Sequence, residues 1–484
     1  MAEYRASPTN PLGPLGSIYT DQYELTMAQG YFQAGKQDQV AGFDYFFRRV
    51  PCDGGYVVFA GLNTLLEVLG EFRFTDESLS YLSEQGFDGD FLDYLSDLRF
   101  EAEVFAPREG DLVFPFEPVV RVRGRLLEAQ IAETLLLNVL NFESLIATKA
   151  SRLRHAAGPE RKVIDFGLRR AHGFAGTQIG RAAVVGGCDS TSNVFSGFRD
   201  AVPIAGTQAH SWIQSFDEEL EAFRTYASSF PNHCILLVDT YDTLQSGVPN
   251  AITVAKEMAE RGDRLAGIRL DSGDLAWLAK ESRQMLDEAG LDYVQIAASN
   301  QLDEHVIKSL LDQNAPIDAF GVGTSLVTSY ECPALDGVYK LSMVDDEPRL
   351  KISENRTKVN FPGIKEVVRL VDESGLFYGD CVIVDGETEP QRMIHPHDPN
   401  KSVDIADYDC ESLLRPVMRA GEVLVGRPSA QEAAGYAQRQ LARLPDEHKR
   451  FQNPHLYKVG LSEQMHALRE RTLAKARSAF ISDH

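Results

Sequence analysis

Six short apolar runs recur between residues 163 and 328, and each ends in a group of polar residues. They span residues 163–170, 202–210, 235–242, 265–274, 294–300 and 317–324. Amphipathic helical patterns, such as residues 251–260, fill the gaps between the runs. Strands that alternate with helices favour parallel pairing, right-handed crossovers and helices that cover the strands. Because such folds carry their chemistry at the carboxyl ends of the strands, the polar groups predict an active-site rim.

The length and the charge of the chain limit the possible folds and partners. A chain of 484 residues favours two or three domains over a single core. The formal net charge of −23 argues against a broad surface for nucleic acid or for an anionic membrane, so neither is expected as a partner. An anionic substrate would therefore need a local group of cationic side chains.

The cysteines and the apolar segments indicate a cytoplasmic protein. Cysteines stand at positions 52, 188, 234, 332, 381 and 410, a spacing that suits neither a zinc site nor a disulfide framework. Residues 1–16 contain three prolines and lack the apolar segment of a secretory signal. No apolar run approaches the ~20 residues that a membrane span needs.

Changes of pattern along the chain divide it into five segments. They are a flexible arm at 1–17, an α+β region at 18–160, an α/β core with the rim at 161–336, a β-rich segment at 337–425 that packs with the N-terminal region, and C-terminal helices at 426–484. Within the β-rich segment, residues 387–411 are polar and are expected to be irregular.

The last apolar run ends in Gly321, Gly323 and Thr324, and this ending suits a phosphate group. Glycines let backbone amides approach a ligand, and the start of a following helix adds its positive dipole. A tight turn that requires glycine would produce the same pattern.

Arg269 and Asp271 lie two residues apart on one predicted strand, so their side chains share a face. The pair could bind a phosphate and a magnesium-bound ligand together, or it could form a structural ion pair. Asp239 and Asp242, at the end of another run, could add to a metal or ribose site. For Asp242, helix capping is the better interpretation.

His210 ends a predicted strand just before the start of a helix. A lone histidine often has only a structural role, but this one lies on the same predicted rim as Arg169 and Arg269. On that rim, Phe166 offers an aromatic face, and Arg169 with Arg170 offers guanidinium groups that suit a carboxylate.

Several chemistries lack the residues that they require. None of the six runs ends in lysine, which disfavours Schiff-base aldolase chemistry, and the rim has too few histidines for a zinc hydrolase. The chain has no Gly-x-x-x-x-Gly-Lys-Ser/Thr loop, so a nucleotide would not be bound as in P-loop proteins. The acidic stretch 238–247 lacks the adjacent acids of the type I phosphoribosyltransferase loop.

Eight segments together resemble the nicotinate phosphoribosyltransferase family. They are TDQYELTMA (20–28), FDYFFRR (43–49), DFGLRRAHG (165–173), GCDSTSN (187–193), GTQAHS (206–211), RLDSGD (269–274), GVGT (321–324) and GVYKL (337–341). They keep the order of the family from residue 20 to about 370, which is about three quarters of the chain.

This resemblance implies a type II phosphoribosyltransferase fold, in which an irregular α/β barrel is accompanied by an α+β domain built from both chain ends. It implies the reaction of nicotinate with phosphoribosyl pyrophosphate to give nicotinate mononucleotide and pyrophosphate. It also implies coupling to ATP hydrolysis, a requirement for Mg²⁺, and a homodimer whose active sites are shared between subunits.

The resemblance also assigns roles to individual residues. Phe166 and Tyr23 of the other subunit would stack on the pyridine ring, with Arg169 and Thr207 near the nicotinate carboxylate. His210 would be phosphorylated by ATP. Contacts to the phosphoribosyl group and to magnesium would come from Arg269, Gly321, Gly323, Thr324, Asp239 and Asp271. Lys340, Lys351 and Lys358 would either contact pyrophosphate or remain solvated.

Two other enzymes and one non-catalytic protein compete with this interpretation. A nicotinamide phosphoribosyltransferase would share the fold and the histidine, whereas a phosphosugar lyase or isomerase on a barrel would need a strand-end lysine. A non-catalytic scaffold would be expected to have lost His210, Arg269 or Asp271, and all three are present.

Overall fold

A computed structural model describes residues 13–351 and 360–481 of the chain. The described residues form two compact units. The core unit takes Ile146–Pro333 with Ser429–Ala434, and the terminal unit takes the described parts of Met1–Leu145, Ala334–Pro428 and Gly435–His484. Most of the predicted arm at 1–17, together with Lys358, lies outside the described residues.

The N-terminal part of the chain alternates helices with short strands. The elements are α1 Gln22–Gln33, β1 Val40–Phe47, β2 Val57–Val58, α2 Leu62–Gly70, α3 Asp76–Glu84, α4 Gly89–Asp97, β3 Glu103–Ala106, β4 Leu112–Val113, β5 Val120–Arg125, α5 Leu126–Ile131 and α6 Glu133–Ala157. Asp21 is the N-cap of α1.

The helical stretch Leu126–Ala157 is long and apolar enough, by length and composition, to cross a membrane. This finding differs from the expectation that no apolar run approaches the length of a membrane span. In the structure, 67% of its most apolar window is buried inside the molecule, as expected for a helix of a protein core. Burial against protein atoms accounts for its apolar composition.

The core unit repeats strands and helices as predicted. Its elements are β6 Lys162–Asp165, α7 Gly176–Gly186, β7 Ser190–Thr191, α8 Val194–Asp200, α9 His210–Gln214, α10 Glu219–Ser229, β8 Ile235–Leu237, α11 Val248–Glu260, β9 Gly267–Leu270, α12 Leu275–Glu288, β10 Gln295–Ser299, α13 Glu304–Asp312, β11 Ala319–Val322 and α14 Thr324–Thr328. The strands hydrogen-bond in the order β7-β6-β11-β10-β9-β8, and every pair is parallel. All polar strand ends therefore lie at one edge of the sheet.

One predicted core strand is wrong. Residues 202–210 contribute only an isolated bridge between Ile204 and Thr191, and the short strand β7 pairs with β6 instead. Pro203 lies in this run and has no N–H to donate to a neighbouring strand. His210 consequently starts helix α9 and does not end a strand.

The C-terminal part is rich in strands and ends in two helices. Its elements are β12 Gly337–Val344, β13 Glu347–Pro348, β14 Lys365–Val371, β15 Phe377–Val384, β16 Arg392–Ile394, β17 Ser402–Asp404, β18 Asp409–Ser412, β19 Arg415–Arg419, β20 Glu422–Val423, α15 Ala430–Arg443, β21 Val459–Ser462 and α16 Glu463–Ile481. The expectation that residues 387–411 are irregular is wrong, because β16, β17 and the start of β18 lie there.

Two sheets of the terminal unit combine strands from different parts of the chain. The first has the order β13-β12-β1-β5-β3-β19-β20, and the second has the order β17-β16-β21-β15-β14-β18. In the first sheet, the rings of Phe43 and Tyr339 stack with centroids 4.8 Å apart. The predicted α/β core and the second α+β unit built from both chain ends are confirmed.

Candidate active site

A cavity of about 1080 Å³ lies in the core unit at the carboxyl ends of the parallel strands. Residues from the strands and from the loops and helix starts beyond them line it, and among them are Phe166, Arg169, Thr207, His210, Arg269 and Asp271. Gly321, within β11, and Gly323 and Thr324, which follow it, line the same cavity. The structure thus brings together side chains as far apart in the sequence as Phe166 and Thr324, which are separated by 158 positions.

Asp239 lies beside this cavity and uses both of its carboxylate oxygens. Its Oδ1 is 3.2 Å from Nε2 of His210, and its Oδ2 accepts hydrogen bonds from the backbone N–H of Asp271 at 2.9 Å and from the hydroxyl of Ser272 at 2.6 Å. The side chain of Asp239 is 1% exposed, whereas that of His210 is 40% exposed. Asp239 therefore orients the histidine and the loop after β9.

The side chains of Arg269 and Asp271 make their hydrogen bonds to hydroxyl groups. A guanidinium nitrogen of Arg269 donates to the hydroxyl of Thr207, and Asp271 accepts from the hydroxyl of Ser299 at 2.5 Å. Burial lowers the pKa of Arg269, although the nearby carboxylates of Asp271 and Asp239 oppose this shift. A charged group held in partial burial is ready to interact strongly with an anion.

Phe166 is fixed by the backbone of the neighbouring strand. Its N–H donates to the carbonyl of Val322 at 2.8 Å, and its ring lies over Gly321. A Cβ atom at position 321 would lie 2.3 Å from Cε2 of Phe166, so only glycine leaves room for the ring. The ring is thereby held at the wall of the cavity.

Asp165 supports the turn that carries Phe166. It is 1% exposed, and it accepts hydrogen bonds from the N–H of Gly167 at 2.8 Å and from the hydroxyl of Thr191 at 2.7 Å. Burial raises its pKa, and these two hydrogen bonds act in the opposite direction. Arg169 and Arg170 follow in a short 3₁₀ helix, and both side chains line the cavity.

Sequence reasoning missed several groups in the cavity wall. Gln208 is 6% exposed, and neither atom of its side-chain amide has a hydrogen-bond partner among the described residues. A buried amide without a partner costs free energy unless a ligand satisfies it. Asn300 and Gln301 also line the cavity with left-handed backbones, at φ 81° and 49°. Their signal in the sequence was only their place at a strand end.

Two residues considered in the sequence analysis, Tyr23 and Asp242, are not among the residues that line this cavity. Tyr23 belongs to α1 of the terminal unit and is 47% exposed. Asp242 accepts hydrogen bonds from the N–H groups of Leu244 at 3.1 Å and Gln245 at 2.8 Å, at the start of the π-helix Thr243–Gly247. The capping interpretation of Asp242 is thus confirmed.

Two places could be considered for a metal ion: a cluster of two glutamates and a histidine, and the single carboxylate of Asp271. Glu304, His305 and Glu331 place ligand atoms close together, but Glu304 already pairs with Lys149 at 2.7 Å and Arg152 at 2.6 Å. The charge of Glu304 is therefore neutralised by protein cations. Asp271 lines the cavity, and carboxylate oxygens are the protein ligands that Mg²⁺ prefers, so Asp271 fits a magnesium ion bound together with a phosphate ligand.

Comparisons with known proteins identify the family. Residues 161–372 match the model of the nicotinate phosphoribosyltransferase (NAPRTase) family, and residues 18–141 and 364–469 match the N-terminal and C-terminal domains of the same enzymes. The chain is 43% identical to the nicotinate phosphoribosyltransferase of Bacillus subtilis, over 92% of this chain and 93% of that protein.

Human relatives give the same result at the level of sequence and structure. The chain is 35% identical to human nicotinate phosphoribosyltransferase over 93% of this chain and 95% of that protein. It superposes on the crystal structure of human nicotinic acid phosphoribosyltransferase with a TM-score of 0.84 and 33% identity, over 93% of this chain and 99% of that chain. The chain belongs to the nicotinate phosphoribosyltransferase family of enzymes.

Proposed function

We propose that this enzyme transfers the phosphoribosyl group of phosphoribosyl pyrophosphate to nicotinate in NAD salvage. The products are nicotinate mononucleotide and pyrophosphate. The observation that carries the proposal is the single cavity in which an aromatic ring, three arginines, a carboxylate and a histidine meet. Family membership and relatives named for this activity support the same reaction.

The reaction needs no activated protein nucleophile, because the pyridine nitrogen attacks C1 of the ribose itself. The N–C1 bond forms as the bond from C1 to the pyrophosphate oxygen breaks, and positive charge builds up on the ribose ring. The enzyme contributes position and electrostatics. In our proposal Phe166 stacks on the pyridine ring and Arg169, near Thr207, binds the nicotinate carboxylate. The unpartnered amide of Gln208 supplies a further polar contact to the substrates.

The other end of the cavity suits the phosphates. Arg269 would bind the phosphoribosyl phosphate with the backbone of Gly321, Gly323 and Thr324, and Asp271 would hold Mg²⁺ beside the ribose. When bound, Mg²⁺ would neutralise part of the charge on the departing pyrophosphate. The buried position of Arg269 supports this role, since a guanidinium group interacts more strongly with a phosphate where water is excluded.

We propose that ATP acts on the same cavity through His210. The imidazole would accept the γ-phosphoryl group of ATP, forming an N–P bond as the bond to ADP breaks. A phosphoryl group on His210 would place about two negative charges in the cavity that Arg269 and Thr207 also line, and it would change the affinity of the cavity for anionic ligands. Later hydrolysis of the N–P bond would return the histidine to its first state.

We further propose a homodimer in which Tyr23 of one subunit completes the cavity of the other. The core unit exposes a set of large apolar side chains, with fractional exposures of 43% to 92%: Leu168, Phe174, Val194, Phe198 and Ile204. Leu168 also lines the cavity, so one member of this set lies at the active-site rim. Exposed apolar surfaces of this kind mark protein interfaces.

A cytoplasmic location fits the cysteines of the proposed enzyme. Cys188, Cys234 and Cys381 are free and buried, and Cys410 is free and exposed. Free thiols persist in a reducing compartment.

Release of pyrophosphate with nicotinate or with nicotinamide, each with and without ATP, tests the proposed reaction. We expect turnover of nicotinate that ATP and Mg²⁺ increase, with little turnover of the amide. Preference for nicotinamide would reassign the substrate. Absence of pyrophosphate release with either ring would contradict the reaction type.

A further inference from the structure

A second cavity of about 1090 Å³ lies within the terminal unit. Its walls come from the turn after β1, from strands β15, β16 and β17, and from the segment 453–460 that leads into β21. The turn packs closely on the C-terminal segment, since a Cβ atom on Gly55 would lie 2.0 Å from the carbonyl oxygen of His448. Pockets that bind small molecules have volumes of roughly 300–1,000 Å³, so this cavity can hold a ligand of nucleotide size.

Basic side chains, four of them permanently charged and two of them histidines, dominate the polar part of this cavity. They are Arg48, Arg49, His395, His397, Lys401 and Lys458. Among the described residues that line the cavity, Asp53 alone is acidic. The chain as a whole has a net charge of −23. The arginines and lysines of this cavity nevertheless create a local positive potential, which attracts anions.

The two histidines are prepared to donate hydrogen bonds to an anion. Nδ1 of His395 accepts the backbone N–H groups of His397 and Asp398, both at 3.1 Å, so its proton must be on Nε2. Both ring nitrogens of His397 lack a partner among the described residues. Burial, with the charges of Arg469 and His395, lowers the pKa of His397. A bound anion would stabilise the protonated imidazole and so oppose this lowering of the pKa.

Among the described residues, neither lysine is held by a buried ion pair. Nζ of Lys458 lies 3.6 Å from the centroid of the Tyr378 ring, and Nζ of Lys401 lies 3.6 Å from a carboxylate oxygen of Asp398. The side chain of Lys401 is 73% exposed, so this ion pair contributes little to stability. Each ammonium group remains able to bind a phosphate oxygen.

Aromatic and aliphatic side chains form the rest of the wall. The ring of Tyr457 stacks on Phe114 with centroids 3.6 Å apart, and its hydroxyl donates to Asp380 at 3.0 Å. These two contacts fix the position of the Tyr457 ring in the cavity wall. Leu456, at the rim, is 81% exposed. Inorganic phosphate would leave this apolar wall uncovered, whereas a nucleotide places a flat base against it and its phosphates on the cations.

We propose that this second cavity is a binding site for a nucleoside polyphosphate. The phosphates lie against Lys401, Lys458 and the histidines, and the base lies against Leu456 and Tyr457. The site is separate from the cavity of the core unit, and the proposal does not depend on the proposed reaction. Its occupant is ATP itself or an adenine dinucleotide, which share the base and the phosphates.

Calorimetric titration of the full chain tests this site. The probes are ATP, nicotinamide adenine dinucleotide, tripolyphosphate and adenosine. The Lys401→Ala/Lys458→Ala variant removes two cations of the second cavity, and Lys36→Ala removes an exposed lysine of α1–β1 as a matched control. We expect the double variant to lose at least ten-fold in affinity for ATP or for the dinucleotide, whichever is the occupant, with unchanged pyrophosphate release and an unchanged circular dichroism spectrum.

His210→Ala and Arg269→Ala variants separate the two cavities. Nucleotide binding at the second site should persist in both, even if neither nicotinate nor nicotinamide is turned over. Equal affinity of wild type and double variant for every nucleotide would overturn the proposal. So would tripolyphosphate binding as tightly as ATP, which would make the site one for phosphate alone. A parallel rise in KM for phosphoribosyl pyrophosphate in the double variant would assign these lysines to catalysis and also overturn it.

Discussion

Nε2 of His210 lies 3.2 Å from Oδ1 of Asp239, and this contact fixes the chemistry available to the histidine. A carboxylate can only accept, so the neutral imidazole carries its proton on Nε2 and has its lone pair on Nδ1. Nδ1 is therefore the nitrogen that would attack the γ-phosphorus of ATP. In this proposed step the same carboxylate would stabilise the imidazole as it becomes positively charged.

The Asp239→Asn variant tests this contact. An amide can donate to Nε2 and so favour the wrong tautomer, and it carries no charge. Hydrogen bonds to charged groups contribute about 1.5–3 kcal/mol, so we expect the stimulation by ATP to fall by roughly 10- to 100-fold. Asp242→Asn is the matched control, because Asp242 caps the helix at Thr243 and should leave the ATP response intact. Equal loss in both variants would contradict the role of Asp239.

Substitution of Gly321 by alanine tests the position of the Phe166 ring. The added Cβ would lie 2.3 Å from Cε2 of the ring, so the ring must move. Such overpacking costs about 1–3 kcal/mol, and we expect KM for nicotinate to rise roughly ten-fold or more. Gly426→Ala, which adds a Cβ in open space, is the control for the substitution itself. An unchanged KM in the first variant would place the pyridine ring away from Phe166.

The sequence predicted those parts of the site that lie at the ends of regular strands. Phe166, Asp271 and Gly323 follow β6, β9 and β11, and their apolar runs were recognisable. The chain at 202–210 could not be placed in this way, because its loop conformation depends on the bridge to Thr191 and on Pro203. The orienting role of Asp239 could not be predicted either, because it depends on contacts between separate loops.

The strands within 387–411 were missed for a different reason. β16, β17 and β18 are short, and β18 is exposed along its whole length, so no alternation of apolar residues marks it. β18 pairs with β14, about 40 residues away, and its backbone hydrogen bonds hold it in the sheet. Pairing between distant segments is information that a local pattern does not carry.

The stability of the terminal unit should depend on pH through Glu24. This carboxyl group is buried and accepts a hydrogen bond from Gln130 at 2.8 Å, and desolvation raises its pKa from 4.5 to about 7. The folded state therefore binds more protons than the unfolded state between these pH values. Stability is greatest below pH 4.5 for this group and falls as the pH rises to about 7, with a slope of at most about 1.4 kcal/mol per pH unit.

Urea unfolding between pH 4.5 and 7.5 measures this dependence. We expect the Glu24→Gln variant to lose the part of the slope that belongs to this group, because glutamine does not titrate. Glu84→Gln, an exposed site on α3, should keep the slope of the wild type. Identical slopes in wild type and Glu24→Gln would show that Glu24 does not hold a proton in this pH range.

The proposed dimer depends on the apolar surface of the core unit. Phe198 is 79% exposed, and an aspartate there would bury a charge if this surface is an interface. We expect Phe198→Asp to sediment as a monomer and to lose activity, since each cavity would lack Tyr23 of its partner. Tyr81→Asp, at a side chain 53% exposed on α3, should leave the sedimentation unchanged. A dimeric Phe198→Asp protein would place the interface elsewhere.

The most direct test of the coupling between ATP and the nicotinate site is transfer of the γ-phosphoryl group from labelled ATP to the protein, followed in parallel with pyrophosphate release. In wild type we expect acid-labile label on Nδ1 of His210 and faster pyrophosphate release with ATP. In His210→Ala we expect no label and a slow reaction that ATP does not change. Label on another residue, or an undiminished response to ATP in His210→Ala, would contradict the assignment.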